Sequence, residues 1–321
     1  MSQYFDNKDM FLEPSVKQYG NHMVMTNVQK PTKVKYYNLD TRFRDDYDEY
    51  SKPCPTFYNI TIPQRINDVK SISVSSIEIP LSFYNISASL GNNIIQIIKQ
   101  NDSKTIIIPD NQYDISGLET AINHELVELG ISNISFAIRE YKSSFSLIDI
   151  NRTNESYTFH FAVKSDMTVS NTSNRTEFDK FNIKSKLGWL LGFRDIQYTL
   201  STSESTTLQS ESLADLNGPR YLYLVLDDYS QGNPYSFNAP IGTSFLNNHI
   251  LAKISIDRFF ETGFTTIYVA NHSNGLLISD KRVYTGKVDL QRMKIQLVNY
   301  FGLPINLNGL DFSFVLEVHY E

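Results

Sequence analysis

Asp227 and Asp228 are the residues of this chain best typed for acid–base or metal chemistry, adjacent carboxylates at the end of the apolar run YLYLVLDDY. Carboxylates that share a proton or an ion must face one point, whereas neighbours on a strand face opposite sides. Tyr229-Ser230-Gln231-Gly232-Asn233-Pro234 follows directly, so the chain turns there and the pair is expected to cap a strand end. The histidines (His22, His124, His160, His249, His272 and His319) never fall at the three- or four-residue spacing of a local metal site, and HExxH is absent. GxSxG, GxxxxGK[ST] and a GxGxxG following a strand are absent too, which removes the local signatures of nucleophilic hydrolysis and phosphate cradling. A triad dispersed along the chain stays open. The expectation is a protein that is not an enzyme and that takes no metal and no cofactor.

A second charged group, DTRFRDDYDEY, begins at Asp40. A calcium loop needs a glycine at its sharp turn, and this stretch has arginines among its acids instead. Arginine pairs with carboxylate in bidentate fashion, so Asp40, Arg42, Arg44 and Asp45 are expected to form a network that sets register at an inter-subunit interface.

These residues sit in a chain of 321 residues with 41% apolar content, enough for one large domain or two ordinary ones. A net charge of −6 gives no global field to recruit nucleic acid. The abundance of aromatics, 20 Tyr and 20 Phe against one Trp, favours β-rich packing. The lone Cys54 excludes an intrachain disulfide and a cysteine metal cluster. Asn-x-Ser/Thr sequons occur, at Asn85 and Asn133 among others, but MSQYFDNKDMFLEP has no secretory pattern, so they read as incidental. No apolar run approaches the roughly 20 residues of a membrane span.

Alternation supplies the elements. Residues 1–33 lack a sustained period and read as an extended N-terminal arm, either a disordered tail or an arm ordered only against a neighbouring subunit. From Val34 the strands KVKYYNLD, TFYNITIP, DVKSISVSSIEIP, NIIQIIK, KTIIIP, NISFAIRE, SFSLIDI and YTFHFAV follow, with prolines at the edges of the second and third. In DVKSISVSSIEIP the apolar phase reverses after Ser75-Ser76, which predicts a bulge or a bend between sheets. One amphipathic helix is expected at about 117–129, with Ser116 as N-cap, Glu119 closing a capping box and Gly130 ending it. Residues 165–182 and 201–218 read as polar loops flanking a short helix at about 186–191, capped by Ser185, whose apolar Trp189, Leu190, Leu191 and Phe193 plug a sheet. Beyond Gly218-Pro219 come YLYLVLDDY, covered on both faces, then HILAKISID, TTIYVA, MKIQLVN and DFSFVLEVHY. The pattern predicts a mainly β, jelly-roll-type β-sandwich. It is either two unequal β lobes, 34–200 with the helix and 201–321, or one jelly roll with a large insertion.

In order, "DTRFRD", "FYNITIPQRINDVKSISVSSIEIPLSFYNIS", "IIIPDNQYDISGLETAINHEL", "LGWLLGF", "PRYLYLVLDDY" and "DFSFVLEVHYE" resemble a family of minor capsid proteins of nucleocytoplasmic large DNA viruses, the giant viruses. The resemblance spans about residues 36–321. It implies a jelly-roll-type structural subunit of an icosahedral virion, assembled in the host cytoplasm. The implied partners are major capsid protein and other minor capsid proteins, with a homo-oligomer possible, and the resemblance brings no catalytic residues. The reading from another class is a carbohydrate-binding, host-attachment β-sandwich that stacks sugars on exposed tyrosines.

Overall fold

Strand β1 (Lys33–Asp40) is followed by the longest element, β2 (Phe57–Pro80), in a computed structural model that describes residues 31–45, 56–100, 102–151, 155–163, 183–230, 249–256 and 266–321. The arm assigned to residues 1–33 therefore lies outside the described residues up to 30. The two strands expected between Phe57 and Pro80 are one continuous bent strand. Its first half, with Tyr58, Ile60 and Ile62 buried, follows the expected alternation. Pro63 lies inside β2 and not at an edge, and it is tolerated because pairing with the neighbouring strand lapses between Thr61 and Ile66. Asp68 takes a left-handed φ of 55°, and past it the strand keeps β14 on one side, as far as Ile72, and gains a second partner on the other. The phase reversal at Ser75-Ser76 is a bulge: Val315 opposes Ser76 while Leu316 opposes Val74, leaving Ser75 unmatched. The extra residue returns Ile77 and Ile79 to the same buried side as Ile72 and Val74.

The chain then runs through β3 (Ile94–Lys99), β4 (Asp102–Ile107), α1 (Ile115–Glu128), β5 (Ile134–Arg139), β6 (Lys142–Leu147), β7 (Ser156–His160), α2 (Leu187–Leu190), β8 (Gln197–Ser201) and β9 (Thr207–Gln209). It continues with β10 (Tyr221–Asp227), β11 (Ile250–Ser255), β12 (Ile267–Asn271), β13 (Leu277–Ile278), β14 (Arg282–Asn299) and β15 (Ser313–Tyr320). An eight-stranded antiparallel sheet has the order β1-β15-β2-β14-β10-β11-β13, with β12 added on β2, and curls into a jelly-roll-like half-barrel. Its concave core takes Leu39, residues of β2, and Leu222, Leu224, Leu226, Ile295, Leu297, Phe314, Leu316 and Val318. β10 is covered on both faces as expected, because Tyr223 and Val225 join Ile250 and Val298 in a small cluster on the other side.

Two smaller sheets, β4-β3-β7-β8 and β5-β6-β9, enclose a second core running from Ile86 to Leu216, with α1 packed through Leu118, Ile122 and Leu126. β1 and β2 pair into the same sheet as β10, β14 and β15, and the second core is built from the segment between β2 and β10.

Within this lobe the helix ends were placed imperfectly by sequence. The cap of α1 is Asp114, which accepts from Gly117 N at 2.7 Å, and Ser116 lies inside the first turn. The Glu119 carboxylate accepts instead from Ile138 N and Arg139 of β5, so no capping box forms. Gly130 ends the helix at φ 69°. α2 starts after Lys186 without a side-chain cap, so Ser185 is not its cap. The plug itself is present: Leu191 and Phe193 are buried, and Phe193 stacks on Phe161 at 4.7 Å with 13° between the rings. β7 stops at His160 although Phe161 and Val163 stay buried, and the region expected to be loop after residue 201 contains β9, which pairs with β6.

Candidate functional site

The charged residues singled out in the sequence occupy two corners of the large sheet. At the end of β1, Asp40 accepts from Arg42 N at 2.9 Å and from the Arg42 guanidinium at 2.6–3.1 Å. The Arg42 hydrogen bond, opposed in part by burial, holds the Asp40 carboxyl below the usual carboxylate range. Arg42 itself projects into solvent, so this pair adds little to stability. Arg44 turns inward, where it donates to Thr41 O at 2.7 Å and meets Asp311 at 3.2 Å. Asp45 accepts from Thr61 N and Thr61 Oγ1. All four residues have partners within the chain and together fasten β1, the start of β2 and the approach to β15. Of the four, Arg42 is paired with Asp40 but the most open to solvent.

Thr41, missed by sequence reasoning, is the pivot of this corner. It is fully buried, donates to Asp311 at 2.6 Å and accepts from Phe312 N at 3.0 Å. Thr41→Val keeps the shape but leaves buried Phe312 N without its acceptor, while Asp311 retains Arg44, so it should lower unfolding stability by about 1–3 kcal/mol in chemical denaturation.

At the far end of β10 the Asp227-Asp228 pair separates, as expected of a strand-end turn. Asp227 accepts from Tyr229 N at 2.9 Å and Asp228 from Ser230 N at 3.0 Å. Asp228 does more than cap. Its side chain is wholly buried beside that of Arg282, at 3.6 Å, and accepts a short hydrogen bond from the Tyr284 hydroxyl. Arg282 also donates to Leu226 O at 2.8 Å and His249 O at 2.9 Å, tying β14 to β10 and to the start of β11. Burial pushes the Asp228 carboxyl up, but the Tyr284 and Ser230 hydrogen bonds and the Arg282 charge outweigh it, and its pKa lies below the ordinary value. Burial and the Asp228 charge push the Tyr284 hydroxyl well up, so it stays protonated and donates. With its oxygens committed to these partners, Asp228 serves as a structural anion and not as a base.

The histidines are scattered. His124 lies beside Glu125, His249 is 4.0 Å from Asp227, His272 meets Val74 O at 3.0 Å and His319 meets Glu317 at 2.6 Å. His160 is held below its ordinary pKa by burial. Among the described residues no group of three or more His, Cys, Asp or Glu is placed to hold a metal ion, and no helix is long and apolar enough to cross a membrane. The sequons at Asn85 and Asn133 are both buried. Asn85 spends its amide on Tyr113 O and Leu216 O, and Asn133 spends its own on Asp149 O and Glu155, so neither side chain offers a glycan acceptor in the folded protein. Two open grooves of about 740 Å³ and 710 Å³ flank the first turn of α1.

These features define a mainly β protein of jelly-roll-like build whose charged corners brace the sheet and whose inserted lobe carries the grooves. No protein-family model and no curated protein matches the chain. Among solved structures it is similar to the mavirus penton protein, known from a crystal structure of its selenomethionine form. The identity is 13%, the match covers 91% of this chain and 100% of that one, and the TM-score is 0.38. At that level the two chains share too little of their course for residues or partners to be carried across.

Proposed function

We propose that this chain is a structural protein of a virion, a minor capsid component of the nucleocytoplasmic large DNA virus type. In this reading it packs against major capsid protein and other minor capsid subunits of an icosahedral shell assembled in the host cytoplasm. The observation that carries the reading is where the resembling segments lie. DTRFRD forms the corner closing β1, FYNITIP…SIEIP is β2, YLYLVLD is β10 and SFVLEVHY is β15, four pieces of one curled sheet, while the helix and LGWLLGF hold the inserted lobe. The ordered resemblance therefore follows the framework of the fold and not scattered loops. Exposed Arg42, at the corner where β1 meets residues preceding β2, is the contact proposed to set register with a neighbour.

Mass spectrometry of purified particles together with a cryo-EM map tests this. The chain should be traceable within the shell, and Arg42→Gln, which removes the exposed charge and keeps a hydrogen-bond donor for buried Asp40, should reduce its incorporation several-fold while the purified chain stays folded. Absence of the chain from the shell would sink the reading. Normal incorporation of Arg42→Gln would remove only the corner from it. Deleting residues 1–33 is expected to leave the purified domain folded and to impair incorporation, and full incorporation of that truncated chain would refute the arm.

A further inference from the structure

The two-residue turn joining β5 to β6 breaks a rule of hairpin chemistry. Arg139 pairs with Lys142, and the residues between them, Glu140 and Tyr141, both take left-handed φ values of 51° and 61°. Such a turn is normally filled by Asn-Gly, because a side chain in this region crowds its own backbone. A bulky aromatic there is an outlier that persists only where its surroundings over-determine it. They do so here. Tyr141 O accepts from Ala214 N at 2.6 Å, Ser143 and Ser210 exchange hydrogen bonds, and the Lys142 ammonium reaches Glu211 O at 3.1 Å.

The strain buys the hairpin nothing inside the core, because the Tyr141 side chain points out and the residue is 63% exposed. Tyr141 instead lines the 710 Å³ groove, together with apolar Ile115, Ala214 and Leu216 and polar groups that include Asp114, Arg139 and Asn217. These polar groups keep hydrogen-bonding capacity. Arg139 is mostly exposed and commits only Nη1, to Glu119 and Ile138 O. Asp114 uses Oδ1 for the helix cap, and Asn217 uses Nδ2 on Asp215.

We propose that this groove is a binding site for a neutral pyranose, with the Tyr141 ring as stacking platform. A sugar ring presents an apolar C–H face to an aromatic plane and paired hydroxyls at its edge. The planar carboxylate, amide and guanidinium of Asp114, Asn217 and Arg139 match such pairs. Acidic and basic groups line the groove together, which favours an uncharged ligand over an anionic one. The inference is independent of the shell reading, since the site lies wholly on the inserted lobe.

The test uses the full chain and methyl glycosides of glucose, galactose and mannose together with N-acetylglucosamine, read by saturation-transfer NMR and calorimetry. At least one should bind, with a dissociation constant on the order of 1 mM for so small a ligand. Tyr141→Phe should keep binding within about threefold, and Tyr141→Gly should abolish it while raising the melting temperature by about 2–4 °C as the backbone strain is released. Failure of all these sugars to bind at about 20 mM, or binding unchanged in Tyr141→Gly, would overturn the proposal. A fall in melting temperature for Tyr141→Gly would overturn its premise that Tyr141 is held at a cost.

Discussion

Asp228→Ala is expected to lower unfolding stability by about 3–5 kcal/mol, because it leaves the wholly buried Arg282 guanidinium without its anion and the Tyr284 hydroxyl without its acceptor. The same protein with Asp228→Leu, Arg282→Met and Tyr284→Phe should recover most of that loss, since the two buried charges and the hydroxyl removed together leave no uncompensated group. Urea denaturation of the single and triple variants separates these outcomes. A triple variant as unstable as Asp228→Ala would mean that the hydrogen bonds from Arg282 to Leu226 O and His249 O matter more than the charge pair. The pH dependence has a definite sign. The Asp228 pKa is depressed in the folded protein, so its contribution is fully present above the unfolded-state carboxylate value and is lost as the pH falls below about 3.9. The wild type should lose stability in that window more steeply than the triple variant.

The second large effect is Gly192→Ala. Gly192 has φ 94°, and a Cβ there would lie 2.1 Å from the backbone oxygen of Ser212, an atom that cannot move aside as a side-chain tip can. Conformation and collision add, and the cost should exceed about 4 kcal/mol. Gly275→Ala is the control: its φ is 72°, but no atom lies within 4 Å of the added carbon, so about 1 kcal/mol is expected. The one tryptophan, Trp189, stands in α2 under the Arg194 guanidinium at 4.1 Å, so its fluorescence reports on this part of the inserted lobe. Gly192→Ala should shift the fluorescence midpoint in urea, and a midpoint equal to that of Gly275→Ala would refute the collision.

What could be read in advance followed from local periodicity. The unbroken apolar run of β10 signalled burial on both faces, the reversal at Ser75-Ser76 signalled a bulge, and the glycine after α1 signalled its end, because each feature is set by residues close in sequence. Ser116 and Asp114 are both competent caps two residues apart, and Glu119 turned to β5, a tertiary contact that outweighed a local motif. Arg282 gave no signal, since its partners arrive from β10 and from the start of β11, far off in sequence. The β5–β6 turn was hidden for the opposite reason: Glu140-Tyr141 is a pair that turn chemistry argues against. The Asp40–Asp45 corner was found by its composition, but composition could not reveal that Arg44 faces Asp311 and not a neighbour.

The carboxamide of Asn85 spans 131 residues to meet Leu216 O while also holding Tyr113 at both its N–H and its carbonyl. The chain therefore leaves the large sheet and re-enters it at nearly the same point. Loop-closure entropy grows only with the logarithm of length, about 0.6 kcal/mol for each doubling, and a loop whose ends are clasped imposes no tension on what it leaves. The sheet accordingly experiences the whole inserted lobe as a single surface loop. Sequence changes that enlarge, shrink or reshape the lobe are insulated from the curvature of the sheet as long as the clasp at Asn85 holds.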